Sequence, residues 1–160
     1  MGLFIRKQLP VPAPEALEPH TAFICPRVLE LSYTARDTVG LARDLNDSGK
    51  PFEWNEDRRA RIRAELDAYF FHLYGTIRED VDYTLETFRS EIGDLKNNEI
   101  AKYDTYRAKD LVLPEFDRMA VYGLELETPL VDGENHTSTP NPPPGHGPRH
   151  PARGEPESES

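Results

Sequence analysis

Four arginines within six residues, Arg58, Arg59, Arg61 and Arg63, form the densest group in this chain with a recognisable chemistry. A guanidinium offers a planar fork of donors that fits a phosphate bidentately, so such a cluster suits a nucleic-acid backbone. On a helix, Arg58 and Arg61 are i, i+3 neighbours and Arg59 and Arg63 are i, i+4 neighbours, which sets two pairs on adjacent faces. The competing reading is a solvated face, because Glu56, Asp57, Glu65 and Asp67 are interleaved with them and exposed ion pairs are ordinary.

Other combinations are weaker. Asp94-Leu95-Lys96, with Asp82 upstream, has the spacing of half a nuclease metal site, but it falls in a Gly/Asn-rich stretch that lacks the rigid strands such ligands need. His72 sits beside Phe70 and Phe71 with no carboxylate or cysteine at ligand spacing, and reads as a packed or half-exposed histidine. His146 and His150 are four apart in a proline-rich stretch expected to hold no geometry. Asn141-Pro142-Pro143-Pro144 resembles the Asn-Pro-Pro-aromatic loop of amino-methyltransferases, with proline where the aromatic would stack on an extruded base. No glycine-rich phosphate loop and no nucleophile beside an evident base is present. No catalytic residue, metal ligand or cofactor-binding residue is therefore expected.

The elements that must position these residues follow from periodicity. Leu3 to Ile5 read as a short strand, and Pro10, Pro12, Pro14 and Pro19 as an extended path, so residues 1–25 are expected to be an extended arm. A helix is expected from Pro26 to Leu45, with a break near Thr34–Asp37, and turn residues follow from Asn46 to Pro51. Asn55 reads as an N-cap with Trp54 as a hydrophobic staple. The helix from Glu56 to Tyr74 carries Ile62, Leu66, Tyr69, Phe70 and Leu73 in one stripe, and Gly75 stands at its C′ position. Thr76 and Glu79 suggest a capping box opening a helix that shows Val81, Leu85 and Phe88 on one face. Residues 89–98 read as a loop. A further helix from about Glu99 to Val112 is expected to kink or end at Pro114, with Phe116, Met119 and Ala120 in a last turn. The fold class is thus mainly α: a small irregular bundle over residues 26–125, an extended arm, and a disordered proline-rich tail over 126–160, where eight of 35 residues are proline.

Composition narrows the function classes. The 160 residues carry 29 Asp+Glu against 19 Lys+Arg, a formal net charge of −10, which argues against non-specific adhesion to DNA and leaves only a local patch for that role. A lone cysteine, Cys25, excludes a disulfide framework and a Cys-based zinc site. No run approaches the roughly 18–20 apolar residues of a membrane span, and the charged N-terminus lacks a signal-peptide core, so a cytoplasmic protein with no membrane partner is expected.

Seven phrases in fixed order resemble a known arrangement. These are Phe4-Ile5-Arg6-Lys7-Gln8-Leu9-Pro10-Val11-Pro12; Pro26-Arg27-Val28-Leu29-Glu30-Leu31-Ser32-Tyr33-Thr34-Ala35; Pro51-Phe52 with Trp54; and the run from Arg58 to Ala68. Phe71-His72-Leu73-Tyr74-Gly75, then Asp82-Tyr83 with Thr87-Phe88, and Tyr106-Arg107 with Lys109 complete them. Together they are similar to the C-terminal region of large restriction–modification enzymes, the type IIG and BREX-like adenine-specific DNA methyltransferases of phage defence. Two departures stand out: that family's Gly-Glu-Tyr-Arg-Thr reads Asp104-Thr105-Tyr106-Arg107-Ala108, and Arg89 stands where a proline is usual.

The resemblance implies the C-terminal helical part of such an enzyme, with residues 1–25 similar to the end of its target-recognition region, supporting DNA recognition or bracing the catalytic core, truncated from or working beside a methyltransferase core chain and non-catalytic alone. In the family the core carries the S-adenosylmethionine site. Expected partners are that core chain and DNA, the latter held weakly through Arg58, Arg59, Arg61, Arg63 or Arg107. The alternative is a stand-alone small helical protein-interaction module without a DNA role.

Overall fold

The computed structural model describes residues 11–87, 89–90, 93–124 and 140–151, and most of them are helical. A single turn, α1 (Pro14–Leu17), and a 3-10 turn (Glu18–His20) lead into α2 (Thr21–Ser32). The expected arm is thereby corrected: residues 1–10 lie outside the described residues, and helix begins at Pro14. The prolines permit this because Pro14 and Pro19 stand in first turns, where a missing N–H leaves no helix bond unmade. Pro26, expected to open the helix, lies inside it. An internal proline costs about 3 kcal/mol. Buried neighbours on both sides offset it: Phe23 stacks on Tyr69 with ring centroids 4.1 Å apart, and Arg27 pairs with Glu65 at 2.7 Å.

The break near Thr34–Asp37 is present: after Ser32 the chain passes through a 3-10 turn (Arg36–Thr38) into α3 (Val39–Asp44). The longest helix, α4 (Glu56–Leu73), is capped as its sequence predicts. Asn55 Oδ1 accepts the Arg58 N–H at 2.9 Å. At the other end Gly75 (φ +67°) donates to the His72 carbonyl and Thr76 to that of Phe71, both at 2.9 Å, the paired bonds of a Schellman motif. Trp54 does not staple to an apolar partner. It is 63% exposed and carries the guanidinium of Arg59, the N4 residue, 3.7 Å from its ring centroid.

Helix α5 (Arg78–Thr87) buries Val81 and Leu85; Phe88 lies outside the described residues. Thr76 is one residue too early for the expected capping box, since Ile77 accepts the first N–H groups of that helix. Residues 89–98 are not all loop. A two-residue antiparallel ladder, β1 (Arg89–Ser90) with β2 (Gly93–Asp94), leads into α6 (Leu95–Tyr103), and Asp94 caps that helix through the Asn97 N–H. The expected helix across Tyr103–Tyr106 is instead divided by Asp104 at φ +62°, and α7 (Arg107–Tyr122) does not end at Pro114 but continues past it. Pro114 faces solvent there, so water can satisfy the carbonyl its ring leaves without a donor.

One core lies between α4 and α7. Ala64, Ala68 and Tyr69 pack with Phe23, Val81, Leu85, Tyr106, Val112, Phe116 and Met119. A smaller cluster holds Leu29, Tyr33, Ala42 and Phe52. The disordered-tail expectation is corrected for residues 140–151, which pack on this second cluster, with Pro140, Pro144 and Gly147 buried. Hydrogen bonds rather than apolar bulk hold them, a signal that composition does not carry. Residues 125–139 and 152–160 lie outside the described residues.

Candidate functional site

The four clustered arginines share a helix but not a surface. Arg58 points into the body, where its guanidinium grips both oxygens of the buried Glu30 carboxylate and donates to the carbonyls of Pro142 and Pro143 at 2.6 and 3.1 Å. Arg59 spans from the Trp54 ring to the Leu31 carbonyl at 3.0 Å. Partial burial and the charge of Arg63 both lower the pKa of its guanidinium. Arg63 is exposed and pairs loosely with Glu56 at 3.6 Å. Arg61 is exposed. Arg107, at the start of α7, donates to Asp57 at 2.8 Å and lies over the Tyr103 ring.

Of the five candidate phosphate contacts, three are thus occupied in holding helices and loops together. Arg61 and Arg63 remain outward, but a two-residue spacing turns them about 200° apart on the helix, so they form no clamp. Helical phase predicts adjacent faces; which face is the interior depends on what packs there.

Periodicity gave little notice of a group of four charged side chains inside the bundle. Arg27, Glu65, Glu115 and Arg118 are all buried. Arg27 Nε donates to Glu65 Oε2 at 2.7 Å and its Nη1 to the Phe23 carbonyl at 2.8 Å, with the guanidinium 3.4 Å from the Phe23 ring centroid. Arg118 Nε donates to Glu115 Oε2 at 2.9 Å. Burial lowers the Arg27 pKa, opposed by Glu65, and raises the Glu115 carboxyl, opposed by Arg118. Two cations and two anions balance. A sequence signal existed, though a faint one: Glu65 falls on the apolar stripe beside Ile62 and Tyr69.

The remaining motifs resolve into structural roles. Asp94 is a helix cap, Lys96 pairs with Glu86 at 2.5 Å, and Asp82 pairs with Lys109 at 2.6 Å, so the nuclease-like spacing does not converge on one point. His72 is half-buried, as expected, stacked 3.8 Å from the Phe116 ring and donating from Nε2 to the Phe116 carbonyl at 2.9 Å. His146 and His150 both belong to the docked segment. Among the described residues no three His, Cys, Asp or Glu side chains are grouped to hold a metal ion. An open hollow of about 510 Å³ lies between Tyr33, Arg36, Lys50, Pro51, His150 and Pro151, with no carboxylate in its lining. No helix among the described residues is long and apolar enough to cross a membrane.

Comparisons with protein-family models, with curated proteins and with solved structures find no match to this chain.

Proposed function

We propose that this chain is the C-terminal helical part of a restriction–modification DNA methyltransferase and that it braces the recognition region rather than performing chemistry. One observation carries the reading: five of the seven phrases that resemble that family are bonded to another such phrase across the fold. The Pro26–Ala35 phrase joins the Arg58–Ala68 phrase through Arg27 to Glu65, Arg58 to Glu30 and Arg59 to the Leu31 carbonyl. Phe52 donates its N–H to the Tyr33 carbonyl at 2.8 Å, and Asp82 pairs with Lys109. Residues matched one phrase at a time therefore act as a single framework. A brace must also present a surface. Tyr74, Ile77, Val121 and Tyr122 are exposed at one end of the bundle, where Arg78 and Asp117 pin the α4–α5 turn beside α7 at 2.8 Å. An apolar patch rimmed by charge is a common docking surface.

No step is assigned to S-adenosylmethionine, since none of the matching phrases belongs to its site. Direct DNA contact falls to Arg61 and Arg63, which position a backbone without reading sequence. That arginine economy also favours a second reading, a stand-alone helical interaction module with no DNA role.

Co-expression with a methyltransferase core of this class lacking its C-terminal helices separates the two. The brace co-purifies with the core and restores adenine methylation, and Ile77→Asp with Val121→Asp abolishes both. Neither association nor rescue occurs under the second reading. Labelled S-adenosylmethionine and mixed-sequence DNA should give no transfer with this chain alone; transfer would overturn both.

A further inference from the structure

Residues 140–151 are held on the body in a manner that reads their sequence. Glu30 Oε2 accepts the Gly145 N–H at 2.8 Å while its partner Arg58 donates to the carbonyls of Pro142 and Pro143. Further along, Glu53 donates to the Pro148 carbonyl at 2.9 Å and His150 to the Pro51 carbonyl at 3.0 Å, flanking an antiparallel bridge between Phe52 and Arg149. Main-chain bonds of this kind supply affinity for an extended peptide, and pockets for alternate side chains supply selectivity.

Selectivity is visible at three positions. Arg149 lies 3.8 Å from the Phe52 ring centroid, forks onto both Asp47 oxygens at 2.9 and 3.0 Å, and donates to the Lys50 carbonyl at 2.5 Å. A Cβ at Gly147 would collide with the Glu30 carboxylate and the Arg58 guanidinium. Gly145 has φ +85° and lies against Pro26, where a Cβ would stand 3.0 Å from the ring. The receiving side is matched in turn, because a Cβ at Gly49 would strike the Arg149 guanidinium.

We propose that the face built from Glu30, Asp47, Phe52 and Arg58 is a peptide-recognition site for an extended, proline-flanked Gly-x-Gly-Pro-Arg segment. Residues 145–149 occupy it in cis, and the same segment of a second copy of this chain enters it once the cis segment is released. Seventeen residues, 123–139, separate α7 from the docked segment. A tether of that length holds an effective concentration in the millimolar range, so the cis segment excludes a competitor at micromolar concentration. The proposal is independent of the methyltransferase reading.

The test uses the full chain and a fluorescent peptide with the sequence of residues 140–151, read by polarisation. The native chain takes up no peptide at micromolar concentration, whereas Gly147→Val binds it. Binding weakens more than tenfold when the peptide carries Arg149→Ala, or when Asp47→Asn is added to the variant, because each removes a charge-assisted fork. A folded Gly147→Val chain that ignores the peptide, or binds the Arg149→Ala peptide equally well, overturns the proposal. If Gly147→Val does not fold, amide exchange decides: the Gly145 and Glu53 N–H groups are protected in the native chain and lose protection in full-length Arg149→Ala. Exchange in the native chain as fast as in a free peptide refutes the site.

Discussion

Arg27 shows how much depends on a single buried charge. Its guanidinium has two hydrogen-bond partners, Glu65 and the Phe23 carbonyl, and a ring beneath it. Arg27→Met keeps the apolar stem but leaves the buried Glu65 carboxylate without its cation, and removing one member of such a pair costs about 3–5 kcal/mol. Urea unfolding checks this, and adding Glu65→Met should recover much of the loss, since apolar replacement of both members is tolerated. Arg61→Gln serves as the contrast: on an exposed face it should change stability by about 0.5 kcal/mol or less. Equal losses at Arg27 and Arg61 would show that the interior pairs do not carry the fold. These two residues are the same letter in the sequence; burial alone separates them.

At the scale of elements, local chemistry was readable wherever a backbone conformation demanded a particular residue. Asn55 at the start of α4 and Gly75 past its end were identified from type and position, and both form the bonds expected of them. Asn55→Ala should lower stability by about 1 kcal/mol through the lost cap, measurable as a shift in the urea midpoint with unchanged slope; no shift would mean that packing alone holds this helix end. Prolines misled for the opposite reason. Pro14, Pro19 and Pro114 suggest breaks and Pro26 a helix start, yet helices begin at or next to Pro14 and Pro19 and continue through Pro26 and Pro114. A proline's local cost is fixed, but its outcome depends on what flanking residues bury and whether the bereft carbonyl meets water. Likewise, the Gly/Asn content of 89–98 concealed the first turn of α6, because Asp94 acts as a cap rather than a loop residue.

Across the whole molecule, α5, α6 and α7 meet at Glu86, whose carboxylate accepts from Lys109 and Lys96, each at 2.5 Å. These two hydrogen bonds hold its pKa at about 2, below the usual carboxylate range near 4.5. A depressed carboxyl binds its proton more tightly in the unfolded chain. Its stabilising contribution is therefore complete above pH 4.5 and is lost as pH falls through about 2. Glu115 has the opposite sign: burial raises its pKa, so its share is complete below pH 4.5 and declines as pH rises through the raised value. Glu86→Gln should accordingly flatten the loss of stability between pH 4.5 and 2 while leaving the Glu115 contribution in place; an unchanged acid limb would mean that the three-helix junction does not form. The amino-acid sequence by itself determined a mainly helical chain, the span and caps of α4, the break before α3 and the half-buried setting of His72. Each of these follows from periodicity or from a backbone angle that one residue type satisfies. Tertiary structure alone decided which arginines face inward, that four charges pair within the core, and that residues 140–151 return to the body. Apart from the Glu115–Arg118 pair, three positions apart on α7, those outcomes depend on partners 28 to 115 positions away, and a buried charge is tolerable only once its counter-ion has been brought beside it.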